Sequence, residues 1–326
     1  MKSILRLGLI LLLFLSGCHH QAEPTATIRI GILQVPDDVA ITRQKGYFAT
    51  LAKRQHVRIR YVTFDSGVDA NKALMSGAID CASMGDTNAL VALSAGIDAK
   101  LVWLNSVIGN NEALVAKTGR SINTLGDLRG KTIATPFAST SHYSLMMTLK
   151  QHHLLHQVTL LDMDTQDIVA AWHRGNIDAA YTWQPTLSEL EKTGTLLTDS
   201  AAQSRSGNTT ANVLLMRNTF LTTHPRQAQG ILDALNAAHH LYQRDPQEAL
   251  QAAAKQTGIT PQAAQQQLGT SQLPTASQQR STTYLGGDFR RALLQTGRFM
   301  TQQQTIAKAP TAAQLSAFIR LPEKGE

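Results

Sequence analysis

An α/β fold in two pseudo-equivalent lobes follows from three features of this 326-residue chain. From residue 27 to about 216, short apolar runs alternate with longer amphipathic ones, the pattern of strands alternating with helices. A helix–Gly–x–Ile–Asp–strand step occurs twice, as Ser76-Gly77-Ala78-Ile79-Asp80 and as Arg174-Gly175-Asn176-Ile177-Asp178. Beyond Pro225 the composition turns to Ala and Gln, and helix-opening prolines recur at Pro225, Pro246 and Pro261, which predicts a helical cover over the core.

The chain opens on an address. Lys2 and Arg6 give residues 1–17 a positive start, and the apolar stretch 7–15 is too short to span a bilayer as a mature helix. It ends in Leu15-Ser16-Gly17-Cys18, which resembles the lipobox of bacterial lipoproteins. That resemblance implies cleavage before Cys18, a lipid on Cys18 and a polar tether over residues 18–26. No transmembrane helix is expected after cleavage. With Cys18 lipidated, Cys81 has no disulfide partner, and its small-residue run makes it a buried hydrophobe. Loss of Lys2 and Arg6 takes the formal charge from +7 to +5. That balance suits an anionic ligand or an anionic membrane surface. Without a dense Lys/Arg cluster interleaved with aromatics, it is no nucleic-acid footprint.

Strands are predicted over residues 28–33, 57–64, 81–84, 100–105, 112–116, 131–134, 158–161, 179–183 and 213–216. Gly ends the helix in each copy of the repeated step, as a left-handed cap requires. Ligands gather at the carboxyl ends of strands in open α/β sheets. The segments Gly85-Asp86-Thr87 and Trp183-Gln184-Pro185 are therefore expected to face one cleft from opposite sides.

The run TPFASTSHYSLMMTLK at residues 135–150 is where chemistry concentrates. A short strand is stopped by Pro136, and Ser139, Thr140 and Ser141 stand directly before a helical run. A lone hydroxyl there caps the helix. Three in a row, followed by His142 and Tyr143, point to a ligand, because the free N–H groups at a helix start favour an anion.

With FDSG at 64–67, GNNEALVAK at 109–117, DLRGKTIATPFASTSHYSLM at 127–146, AAWHRGNIDAAYTWQP at 170–185 and LEKTGTLLTDS at 190–200, the chain resembles the solute-binding proteins of ABC importers. The likeness is to the taurine, aliphatic-sulfonate and nitrate branch. It implies a type II periplasmic-binding-protein fold, each lobe a mixed sheet flanked by helices, joined by two crossovers. These are expected near residues 116–120 and 207–214, giving one lobe from 27–120 plus 207–326 and the other from 121–206. It also implies a monomer without cofactor that hands a small anionic ligand to a permease and its ATPase.

A sulfonate needs several N–H and O–H donors but no full countercharge, and Ser139, Thr140, Ser141 and Thr87 are the candidates, with Gln34 behind them. A ligand ammonium needs carboxylates or an aromatic face, for which Glu112, Asp86 and Trp183 are candidates. The taurine-like branch carries an Asp before the strand returning to the first lobe. Here Thr210-Ala211-Asn212-Val213 puts the amide of Asn212 in its place. An amide accepts a hydrogen bond but brings no charge, which argues against taurine and towards an uncharged sulfonate. A nitrate-like anion, a thiamine-pyrimidine precursor, an enzyme on the same fold and a sensory partner remain the alternatives. No nucleophile–base set or phosphate loop supports the enzyme. His152 and His156 are expected one turn apart on a helix but lack acidic or Cys companions, so no metal is expected.

Overall fold

The computed structural model describes residues 26–323. The targeting segment, Cys18 and the tether up to residue 25 lie outside the described residues. The strands among those described are β1 (Ala26–Ile32), β2 (Val57–Thr63), β3 (Cys81–Gly85), β4 (Ala99–Val107), β5 (Glu112–Lys117), β6 (Thr132–Thr135), β7 (Thr159–Asp162), β8 (Ala179–Trp183), β9 (Gly194–Asp199) and β10 (Ala211–Arg217). They form two sheets of one topology, in the orders β2-β1-β3-β10-β4 and β7-β6-β8-β5-β9. In each, four strands run in one direction, and the strand arriving from the other lobe is inserted antiparallel between two of them. Each lobe is thus a mixed sheet flanked by helices.

This exchange corrects the expected lobe boundary. β5 pairs with β8 and β9 and so belongs to the second sheet, which puts the first crossover between Val107 and Glu112. The expectation had kept residues 108–120 in the first lobe. The second crossover lies between Arg205 and Ala211.

The repeated Gly–x–Ile–Asp step is the same joint in both lobes. Gly77 and Gly175 end their helices at φ 74° and 76°, a conformation that suits a residue without Cβ. Asp80 Oδ2 accepts the Arg29 N–H at 2.7 Å, and Asp178 Oδ2 accepts the Thr132 N–H at 2.9 Å, tying the third strand to the first. Arg29 and Arg120 reach the carbonyls of Gly77 and Gly175 and pair with the two aspartates.

Apolar clusters fill both faces of both sheets, and they are assembled from residues 28–319. Cys81 is fully buried among them, and burial pushes its thiol far up, as befits a packing residue. The C-terminal helices Pro225–Arg244, Pro246–Thr257 and Pro261–Leu268 each begin on the expected proline. They pack on the first lobe. There His239 Nε2 and Trp103 Nε1 meet Asp38 Oδ2 at 2.9 and 3.0 Å, Asn105 joins at 3.0 Å, and His239 Nδ1 meets the Pro274 carbonyl at 2.8 Å. The helix Asp288–Gln302 bridges the lobes. Its Phe289, Leu293 and Met300 lie in the first lobe's core, while Phe299 packs edge-on against Tyr143 of the second, ring centres 5.6 Å apart.

The lobes also meet directly. Asn88 Nδ2 donates to the Ala138 carbonyl at 3.3 Å, and a Cβ at Gly85 would lie 3.0 Å from Thr140 Cγ2. Among the described residues no helix is long and apolar enough to cross a membrane.

Candidate functional site

Where the lobes meet, four backbone features converge: the end of β3, the start of β5, the end of β8 and the start of the helix Thr140–Gln151. Pro136 ends β6, and Ser139 caps the helix, accepting the His142 N–H at 3.1 Å while its own hydroxyl donates to the Pro136 carbonyl at 2.5 Å. The N–H groups of Thr140 and Ser141, in the helix's first turn, have no intrahelical acceptor, so the positive end of this twelve-residue helix lies at the junction of the lobes. His142 stacks on Phe137 at 4.4 Å, and burial pushes its imidazole down to about 4, leaving it neutral near pH 7.

Glu112 opens β5 and is buried. It draws in hydroxyls: Thr140 Oγ1 donates at 2.5 Å, Ser200 Oγ at 2.6 Å, and Ser144 Oγ lies at 3.5 Å. Burial raises its pKa, and these hydroxyls oppose the rise. Ser141 is fully buried beside it, its hydroxyl making no hydrogen bond of good geometry. Thr140 was expected to serve an oxyanion. In this conformation its hydroxyl serves a carboxylate instead.

Asp86 sits across the cleft on the first lobe, in the first turn of the helix Asp86–Ser94, with Gly85 and not Asp86 at the cap. It is fully buried, and neither carboxyl oxygen accepts a hydrogen bond of good geometry. Burial pushes its pKa well up, the negative charge of Glu112 adds to that, and the nearby N–H groups of Thr87 and Ala211 oppose it. Thr87, next in the helix, is buried with an unpartnered hydroxyl. It lines a small cavity with Ser139, His142, Tyr143, Phe299 and Met300.

The remaining candidates divide. Trp183 is half-buried at the end of β8, directly opposite Glu112 in the β5–β8 ladder. Asn212 lies opposite Gly85 in the β3–β10 ladder and is half-buried, its amide 3.5 Å from Ser106 Oγ. Gln34 stands exposed beyond β1, outside this buried set. The helix that was to carry His152 and His156 on one face ends at Gln151, so the two do not share one. Among the described residues no group of three or more His, Cys, Asp or Glu is arranged to hold a metal ion.

Comparison with known proteins places the chain. The NMT1/THI5-like family model matches residues 39–249. This chain belongs to the NMT1/THI5-like family. Over 271 residues it is 33% identical to the taurine-binding periplasmic protein of Escherichia coli K12, covering 81% of this chain and 82% of that one. It is 27% identical over 227 residues to a putative aliphatic sulfonates-binding protein of Bacillus subtilis, covering 68% and 66%. In structure it is similar to the alkanesulfonate-binding protein of Xanthomonas axonopodis pv. citri bound to MOPS (TM-score 0.71, 22% identity, 92% of this chain and 99% of that one). The desulfurization enzyme DszB, solved with biphenyl-2-sulfinic acid, shares the same fold at 16% identity (TM-score 0.68, 91% and 97%). The family's periplasmic-binding-protein fold is therefore the fold of this chain, and its near relatives are binding proteins.

Sequence reasoning missed the polar residues around the family's cleft that act through others. Ser144 and Ser200 hold Glu112, and Thr135, Thr182 and Thr210 are buried with unpartnered hydroxyls at strand ends and the second crossover. Ser144 was findable, since it lies one helical turn beyond Thr140 on the same face.

Proposed function

We propose that this chain is the substrate-binding lipoprotein of an ABC importer and that it captures a small aminoalkylsulfonate of the taurine kind between its lobes. One observation carries the reading: the carboxyl of Asp86 is fully buried, accepts no hydrogen bond of good geometry beyond the weak approach of the Thr87 and Ala211 N–H groups, and feels the negative charge of Glu112 from the other lobe. A buried carboxylate left unpaired is strongly disfavoured, and a ligand ammonium supplies the missing partner. The charge that Asn212 does not bring is thereby available from Asp86. The sulfonate is met by the free N–H groups of Thr140 and Ser141 and by the hydroxyls of Thr87 and Ser141, which are donors without a countercharge. His142, held neutral, lines the pocket without adding charge, and Trp183 offers a face to the ammonium.

In this reading the monomer is held on the periplasmic side of a membrane by lipid on Cys18, and the lobe faces around the cleft meet the permease whose ATPase drives import. The relatives' names support a binding protein and a sulfonate ligand. A second reading, an uncharged alkylsulfonate, is favoured by one observation. Burial raises the Asp86 pKa, so a proton can stand where an ammonium would. A thermal-shift series with taurine, alkylsulfonates, nitrate, sulfate and pyrimidines tests the reading, because a ligand of the folded state stabilises by RT ln(1 + [L]/Kd). Stabilisation by taurine ahead of the rest is expected; stabilisation by pyrimidines alone overturns it.

A further inference from the structure

We propose that the far end of the helix Asp288–Gln302 is the wall that limits how long a ligand the cleft can close over, and that Phe299 and Met300 set the limit. The small cavity where the lobes meet takes polar lining from Thr87, Ser139 and His142 and apolar lining from Tyr143, Phe299 and Met300. The last two come from the C-terminal part of the chain, not from the strand ends and helix start that carry the other candidates. Phe299 holds the Tyr143 ring edge-on. Burial raises the Tyr143 pKa, Thr296 of the same helix opposes the rise, and the charge of Asp86 adds to it, so this phenol stands near both the helix and Asp86.

The wall is fixed and not a movable flap. Phe289, Leu293, Met300 and Ile306 lie in one core cluster of the first lobe, which anchors the helix on both sides of Met300. A Cβ at Gly297 would lie 2.5 Å from Pro310 Cδ, so the returning chain packs directly against the helix. At the helix end Gln304 takes a left-handed φ of 59°, and the Thr305 N–H donates to the Met300 carbonyl at 2.8 Å, which turns the chain back. Phe299 and Met300 are 7% and 4% exposed, so neither side chain has an open direction in which to swing aside.

The cavity measures about 10 Å³, room for a single water, so a larger ligand enters with the lobes apart and is then closed upon. The length limit rests on the sulfonate reading above. A sulfonate held at the start of the helix Thr140–Gln151 leaves its carbon chain against Phe299 and Met300. A methylene buried there strengthens binding roughly fourfold. A methylene that meets a wall unable to recede keeps the lobes apart instead, and the Asn88 bond to the Ala138 carbonyl and the Gly85–Thr140 contact are lost.

Calorimetry of the linear alkylsulfonates from ethanesulfonate to hexanesulfonate tests the limit. Wild type should favour the short members and lose affinity along the series. Met300→Ala frees room for about three methylenes, so hexanesulfonate should gain up to roughly sixtyfold over wild type. Met300→Val, a gentler change, should move the preference the same way by a smaller step. Leu293→Ala is the control: it empties a site in the same core cluster two turns back on the same helix, does not line the cavity, and should lower melting without moving the length preference. An equal shift in Leu293→Ala, or none in either Met300 variant, overturns the proposal. Thiol labelling reads the wall without any ligand. In the chain starting at His19, Met300→Cys should react with methyl methanethiosulfonate, while Leu293→Cys should react no faster than the buried Cys81. A wild type that binds no sulfonate of any length sinks the sulfonate reading, and the wall then stands or falls on the labelling: equal rates at the two cysteines overturn it.

Discussion

Thr140 Oγ1 donates a hydrogen bond to Glu112 Oε2 at 2.5 Å, linking the first turn of the second lobe's cleft helix to the strand that has just crossed from the first lobe. The contact gives this hydroxyl a structural task. Thr140→Val keeps the shape and removes the donor from a buried carboxylate, so it should lower stability by roughly 1–3 kcal/mol at neutral pH. Chemical denaturation measures it. An unchanged midpoint would mean that the hydroxyl serves ligand alone.

Ser139 separates capping from recognition. Ser139→Ala loses the cap on the His142 N–H and should cost about 1 kcal/mol. Ser139→Asp keeps a capping oxygen, so stability should recover, while its negative charge beside the open helix N-terminus should weaken a sulfonate ligand. If stability and affinity move together in both variants, the two roles are not separable at this residue.

The buried network around Asp38 should carry much of the first lobe's rigidity. His239→Leu removes a partner from a carboxyl that is shut off from water, and the expected loss is about 3–5 kcal/mol. Near-ultraviolet circular dichroism should change with it, because Trp103 bonds the same carboxyl and lies 4.9 Å from the His239 ring. A small loss with an unaltered Trp signal would show that the network is dispensable.

How much of this was legible beforehand depended on whether the signal was local. The paired Gly–x–Ile–Asp steps marked both lobes because a helix cap and a following strand are written within a few residues. β5 was recognised as a strand but given to the wrong lobe, since the apolar run EALVA suits either sheet and pairing is decided by β8 and β9, far along the chain. β9 was not predicted at all. It is an edge strand whose Leu196 is half exposed, so it lacks the apolar alternation of a buried one. Asp86 and Glu112 were both suspected as ammonium partners. That one is satisfied by three hydroxyls and the other by none depends on residues up to 88 positions away, such as Ser200, and no local pattern carries that.

Asp86 also predicts a pH signature in the empty protein. Its folded pKa lies above the unfolded value of about 3.9, so its favourable contribution is complete below that value and is lost as pH rises through the raised pKa. Asp86→Asn removes the loss. The variant should therefore melt above wild type at neutral pH, with the gap closing towards about pH 4. A gap that widens on acidification would mean that the carboxylate is stabilised in the folded state.

The most direct test of the central claim, that Asp86 is the partner of a ligand ammonium, is calorimetry of taurine and an uncharged alkylsulfonate of equal length against wild type and Asp86→Asn across pH. The four affinities form a cycle in which the interaction between ligand charge and residue charge stands alone. The account predicts that taurine binds wild type more tightly as pH rises through the raised Asp86 pKa, and that Asp86→Asn abolishes this preference while sparing the uncharged ligand. Equal losses for both ligands, or an uncharged ligand that binds wild type better than taurine at every pH, would contradict it.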